Sequence, residues 1–230
     1  MKEQKPVYLT FPMEILKDGI NNISGCMDKA MCYCLYWNYT KIEYHATEAN
    51  NIKSAAIRTG INFPNPDGSF YKGKKIHDSI KVNAPKVSIN LSTILDFHNN
   101  TKTPFEVVCF LAFAGIRSIL QRQPYTKITN EYLLGRMAGN RSKEEPLPKW
   151  ITPFANRYQL DKIKLELQNN WGLKLYAYHT RGFYVSFDYD LETLIFHAEK
   201  KRKSRKEKAL QDEKNQARQA ALRRLKEGNF

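Results

Sequence analysis

The 230 residues contain no Gly-rich phosphate loop, no His-Glu-x-x-His and no Gly-x-Ser-x-Gly. Nucleotide cradling by a P-loop, zinc-assisted hydrolysis and serine hydrolysis therefore have no motif to rest on. Cysteine is scarce: Cys26, Cys32, Cys34 and Cys109 lack the paired spacing of a zinc site, which points to buried free thiols in a reducing compartment. The five histidines, His45, His77, His98, His179 and His197, stand apart from one another and read as surface or turn residues, not ligands. No metal and no cofactor is expected. The longest apolar run, Val107–Ala114, falls short of the ~20 residues that cross a bilayer. The start, Met1 to Pro6, leads into no long apolar region, so no signal peptide is expected. The expectation is a cytoplasmic protein without membrane partners.

Negative charge is also short. Lys and Arg number 37 against 23 Asp and Glu, a net +14 at pI near 9.5. Such an excess favours a polyanionic partner over a neutral surface. It is unevenly placed. Residues 199–230 hold 12 Lys/Arg and 5 Asp/Glu, whereas the other 198 hold 25 and 18, so each part carries +7. The tail is denser in charge, yet the remainder is basic too. Hydrophobic residues at 42% and aromatics at 12% suffice for a real core.

Along the chain, residues 1–25 read as an irregular lead with turns at Phe11-Pro12 and Asp18-Gly19. Helices fit Met27–Thr40 and Asn51–Thr59, the second ending at Gly60. Ser54–Ile61 reads equally as the first helix of a helix-turn-helix pair or as any short Ala-containing helix. Tyr71–His77 is either a basic recognition helix, with Lys72, Lys74 and Lys75 exposed, or a solvated loop, and Gly73 weakens the helical reading. Lys86–Asn90 alternates as a strand. Thr103, Pro104 and Glu106 form an N-cap, an N1 proline and a capping box before an apolar run, Phe105–Leu120, that predicts a buried helix. The next helix starts after Thr129, stapled by Ile128 and Leu133, and ends at Gly139.

The last third is the most informative. Leu160, Ile163, Leu167 and Trp171 make one apolar helical stripe, with Tyr158, Lys162, Leu165 and Asn169 opposite, flanked by Arg157 and Gln159. Leu173 to Phe187 then alternates as a two-stranded ribbon turning at His179–Gly182. A final helix starts after Asp190 and enters the tail, Lys201, Arg202, Lys203 and Arg205 onward. The chain also has 13 tyrosines, the nucleophile of nicking enzymes, but no His cluster to accompany one, and the expectation is no enzyme.

The order of Ile128–Gly139, Asn156–Gly172 and Leu173–Phe187 resembles a winged helix-turn-helix. Such a unit is mainly α with small β-hairpin wings and puts one helix in a DNA major groove. The resemblance implies residues 1–100 as an N-terminal helical domain and candidate first unit, 101–189 as the DNA-binding unit and 190–230 as a basic helical tail. Two tandem units are similar to plasmid and phage replication initiators, whose partners are double-stranded DNA and a second copy of the chain. On that resemblance Arg157, Tyr158 and Gln159 would read bases, while Lys162, Lys174, Arg181 and the tail would meet phosphates. A transcriptional repressor, or an assembly protein of a phage or mobile element with a nucleic-acid-holding tail, are the alternatives.

Overall fold

A computed structural model gives the fold and describes residues 6–42, 47–80, 83–142, 144–177 and 182–226. It is mainly helical with two small antiparallel sheets. In chain order come β1 (Tyr8–Pro12), a 3-10 turn (Met13–Leu16), α1 (Ile23–Tyr39), α2 (Glu48–Thr59), α3 (Pro66–Ser79), β2 (Lys86–Asn90) and α4 (Leu91–Asn99). Then follow α5 (Pro104–Leu120), β3 (Thr126–Ile128), α6 (Asn130–Met137), a 3-10 turn (Lys149–Phe154), α7 (Arg157–Asn170), β4 (Lys174–Tyr176), β5 (Phe183–Ser186) and α8 (Leu191–Lys226).

Helix α5 is the spine. Thr103 Oγ1 accepts from Glu106 N at 3.3 Å and Glu106 Oε2 accepts from Thr103 N at 2.8 Å, so the expected capping box forms. Val108, Phe110, Leu111, Ala112, Ala114 and Ile116 are fully buried. Phe105, in the first turn, is 37% exposed, and Phe113 and Ile119 are half-buried. A single apolar cluster runs from Leu9 and Phe11 through α1 and α5 to Ile163, Leu167 and Val185.

Within the irregular lead expected over residues 1–25, Tyr8–Pro12 instead form strand β1, paired antiparallel with β2 from Tyr8↔Asn90 to Pro12↔Lys86. Leu9 and Phe11 alternate inward against Val87 and Ile89. Pro12 ends the strand at its last pairing position, where a missing donor does little harm. Helix α1 also begins earlier than expected, at Ile23, because the Asn22 side chain caps it by accepting from Gly25 N at 2.9 Å.

The basic segment Tyr71–His77 lies inside helix α3, capped by Asn65 and with Pro66 in its first turn. Gly73, read from sequence as a weakness, is where α3 presses on α1. A Cβ there would stand 2.1 Å from the Cys32 carbonyl oxygen. Close backbone approach, not flexibility, selects glycine.

In the second sheet β5 lies between β3 and β4, with Ile128↔Phe183 and Leu175↔Val185 in register. Strand β3, Thr126–Ile128, is too short for alternation to mark it in the sequence. Residues Phe183 to Ser186 are all buried, so the return strand has no solvent face. One face meets the main core; on the other, Tyr184 packs with Leu194 and Ala198 of α8. The tail helix is thus anchored at its start, where Asp190 Oδ1 accepts from Thr193 N at 2.7 Å.

All four cysteines are free and buried, as their spacing suggested. Burial pushes the thiols of Cys26 and Cys32 up to about 11 and those of Cys34 and Cys109 up to about 12. Since the thiolate is the nucleophile, the native chain should resist an aromatic disulfide reagent at neutral pH and react fully in guanidinium. Rapid reaction of any thiol in the native state would contradict this packing.

Two substitutions test the architecture. Phe110→Asp places an unpaired charge at a fully buried site and should abolish cooperative unfolding. For Gly73→Ala helix propensity alone forecasts about 1 kcal/mol of stabilisation. The contact with Cys32 forecasts overpacking that costs about 1–3 kcal/mol. The sign of the change in Tm decides, and a rise would show that α3 does not press on α1.

Candidate nucleic-acid interface

Helix α7 is fixed by its buried stripe, as the 3.6-residue period requires. Leu160, Ile163 and Leu167 are at most 2% exposed. Trp171 closes the end, packing among Phe97, Phe110 and Phe113 at centroid distances of 4.7–6.4 Å. Asn156 caps the start through Gln159 N at 2.9 Å, and this backbone bond places Gln159 in the first turn with its side chain half-buried.

The opposite face is open. Tyr158 is 65% and Leu165 57% exposed, large apolar surface for a solvated helix. Lys162 Nζ lies 4.5 Å from the Tyr158 ring centroid, a cation–π contact that holds the ammonium beside the aromatic face. The Arg157 side chain is 94% exposed and reaches Asp161 at 3.6 Å, a surface pair worth little.

One flank of this face borders the ribbon β4–β5. A groove of about 610 Å³ lies there, lined among others by Arg157, Asp161, Lys164, Gln168 and Phe183. Lys164 was not among the residues picked out from sequence. Its side chain is 13% exposed, 3.5 Å from Asp161, with Nζ 4.4 Å from the Phe183 ring centroid. Burial lowers its pKa, opposed by Asp161. The signal existed: Arg157, Asp161, Lys164 and Gln168 recur at helical spacing. What could not be read is that this flank meets the ribbon.

The remaining candidates are dispersed. Lys174 is half-buried on β4, opposite Ser186. Arg181 lies outside the described residues. Lys74 and Lys75 are exposed on α3, far along the chain from α7, whereas Lys72 is engaged in an ion pair with Asp28 of α1. In α8, Arg202 binds Glu199 through Nε at 2.8 Å and Nη2 at 2.6 Å, and Glu199 also accepts from the Tyr176 hydroxyl at 2.8 Å. These partners hold the Glu199 carboxyl below its usual range, Arg202 first. Arg202 therefore helps dock the tail helix on the sheet. Lys201 has its Nζ 5.7 Å from the Tyr125 centroid; Lys203 and Arg205 are exposed.

Two histidines are not the simple surface residues expected. His77 sits among Tyr33, Tyr36 and Trp37 at 5.0–6.1 Å, and His197 stacks on Tyr125 and Tyr189 at 5.5 and 5.1 Å. Both serve as flat partners in aromatic clusters. Among the described residues no three His, Cys, Asp or Glu side chains gather as a metal site, and no helix is long and apolar enough to cross a membrane. Comparison with protein-family models, with curated proteins and with solved structures found no match.

Proposed function

We propose that residues 101–189 are a winged helix-turn-helix that binds double-stranded DNA through α7, in a chain that initiates replication of a plasmid, phage or related mobile element. One observation carries the DNA reading. Helix α7 follows a helix–strand–helix order, precedes a two-stranded ribbon, and keeps Arg157, Tyr158, Lys162 and Leu165 on an open face while its stripe is buried. A groove-reading helix needs that combination: a rigid apolar back and a mixed donor front. Arg157 and Tyr158 at the helix start would meet base edges. Leu165 suits a thymine methyl, and Lys162 a phosphate.

The initiator reading draws on the first half of the chain. Strand β1, a 3-10 turn and the buried α1 run in the same order as β2, α4 and the buried α5. Helices α2 and α3 then follow α1, leaving Tyr71, Lys74 and Lys75 exposed on α3. A chain with a second recognition helix there would suit repeated sites, with β2, the strand that follows α3, paired back to β1. The long α8, exposed from Lys203 through Ala220, would add sequence-independent affinity through phosphate neutralisation.

A second reading has its own observation. A cleft of about 440 Å³ opens between α4, α5 and α7, lined by Asp96, Phe97, Lys102, Glu106, Cys109 and Trp171 among others. A small ligand there would touch α7 directly, as in a ligand-controlled repressor.

Selection of oligonucleotides from a random pool tests the reading first. Against the selected site, Arg157→Ala should weaken binding by about 1–3 kcal/mol and relax preference at one or two positions. Lys162→Ala and Arg181→Ala should act alike on selected and scrambled duplexes. None of the three should lower Tm. Wild-type affinity in all three would remove the DNA-reading role and favour protein assembly through the exposed Tyr158 and Leu165.

Removal of residues 203–230 leaves the docking contacts of Glu199 and Arg202 in place. It should weaken all duplexes equally and flatten the dependence of log K on log salt. Lost discrimination with an unchanged slope would make the tail a reader and sink this division of labour.

A further inference from the structure

Away from α7, a cleft of about 1060 Å³ lies between the outer face of the β1–β2 pair and the C-terminal end of α5. Its lining carries Lys86, Arg117, Arg122, Arg136 and Arg141 and no carboxylate. None of the α7 residues takes part. Arg141 is paired through Nη2 with Glu14 at 3.0 Å, but the other four cations around the open cleft repel one another, and the chain tolerates them only where solvent or an anion screens the field.

Arg136 makes the case specific. It is 7% exposed, on α6. Its Nη2 donates to the Tyr132 hydroxyl at 2.7 Å, and the guanidinium lies 5.3 Å from that ring. Its Nε and Nη1 are buried and have no hydrogen-bond partner among the described residues. A buried guanidinium with two unmet donors is a costly arrangement in the absence of an acceptor. On its other side Arg136 borders a smaller cleft with Glu131, Glu144 and Glu145. Glu145 is occupied there, accepting from the backbone N of Arg141 at 3.0 Å and of Ser142 at 3.3 Å. Neither of the other two glutamates pairs with Arg136.

The rest of the wall is consistent with an oxyanion guest. Arg117 is stacked 4.3 Å from the Phe187 centroid and Lys86 4.3 Å from Trp37, so both cations are held in place by aromatic faces that accept no proton. Thr10 and Ser88 join their hydroxyls at 2.7 Å on the strand face between them. Gln121, at the end of α5, takes φ 50°, the only positive φ outside glycine among the described residues. Such strain is found where a site is held in shape. The carbonyl end of α5 opposes an anion by roughly half a charge, far less than Lys86, Arg117, Arg122 and Arg136 supply.

We propose that this cleft binds phosphate groups of a nucleic-acid backbone, at a site separate from the α7 face. It rests on the nucleic-acid reading for the source of the phosphate; the chemistry of the cleft does not. The test uses the full chain, a selected duplex and a scrambled one across a salt series, and tripolyphosphate as a small-anion probe of Tm. The variants are Arg136→Gln and, in case that core change unfolds the protein, the rim pair Lys86→Gln with Arg122→Gln. The rim pair should keep the native Tm and weaken both duplexes equally. Its slope of log K against log salt should fall by about 1.8, which is ~0.9 per lost phosphate contact. Tripolyphosphate should raise the Tm of the wild type and not of the rim pair. If Arg157→Ala alters discrimination while the rim pair binds with wild-type slope, this site is wrong and the α7 reading stands. If the wild type binds no duplex but tripolyphosphate still stabilises it through the rim pair, the backbone source is overturned in favour of a small phosphorylated ligand.

Discussion

Beyond its first turn and Arg117, helix α5 offers little to solvent, and the rest of the chain is arranged to cover it. Val107 to Leu120 is buried almost without interruption, so α5 must be wrapped on every side rather than packed along one stripe. Strand β2 and the turn at Met13–Leu16 cover it from one direction, α6 and α7 from another. The two halves of the sequence are joined through this helix and not through a linker. Strand β2 is paired with β1 yet leads straight into α4 and α5, so the chain crosses from one half to the other inside a shared core.

That constraint decides which surfaces are left for function. Covering α5 uses the apolar stripe of α7 and the aromatic group of Phe97, Phe110, Phe113 and Trp171. What α7 keeps for solvent is the face it does not need for the core, and that face carries Arg157, Tyr158, Lys162 and Leu165. Its electrostatics are tempered. Asp161 lies between Arg157 and Lys164, at 3.6 and 3.5 Å, and removes part of the field that either cation would project. The cleft by β1–β2 has no carboxylate in its lining, and of its cations Arg141 is paired with Glu14 at 3.0 Å. Of the two basic surfaces, α7 is better built for directional contacts and the cleft for charge.

Long elements with strong caps could be read from sequence. The Thr103–Glu106 box, the Thr129 cap with Ile128 and Leu133, the Leu160/Ile163/Leu167 stripe and Asp190 all sit where local rules put them. Short strands could not. β1 and β3 are stabilised by partners 82 and 55 residues away at Tyr8↔Asn90 and Ile128↔Phe183, beyond what a window of neighbours reports. Gly73 was misread for a related reason: helix propensity is local, whereas the contact with Cys32 is tertiary. The α7 face was legible because it is the complement of a stripe. The basic cleft was not, because Lys86, Arg117, Arg122, Arg136 and Arg141 come from separate segments that only the covering of α5 brings together.

Helix α8 follows a different logic. Its first two turns are held by Leu194 and Ala198 on Tyr184, by His197 against Tyr125 and Tyr189, and by Glu199 on Tyr176. From Lys203 through Ala220 every residue is exposed. A helix of 36 residues extends about 54 Å at ~1.5 Å per residue. Its outer part has no core to stabilise it and depends on propensity and weak side-chain pairs, such as Gln211 to Asn215 at 3.2 Å. Lysine and arginine repelling along such a rod raise its free energy, and a polyanion laid beside it would relieve that repulsion. The anchored start fixes where the rod leaves the sheet beside β4, the strand next in sequence to α7. On the proposed DNA reading, charge carried on a helix with a fixed exit point would strengthen an encounter without specifying it, complementing the directional contacts proposed for α7.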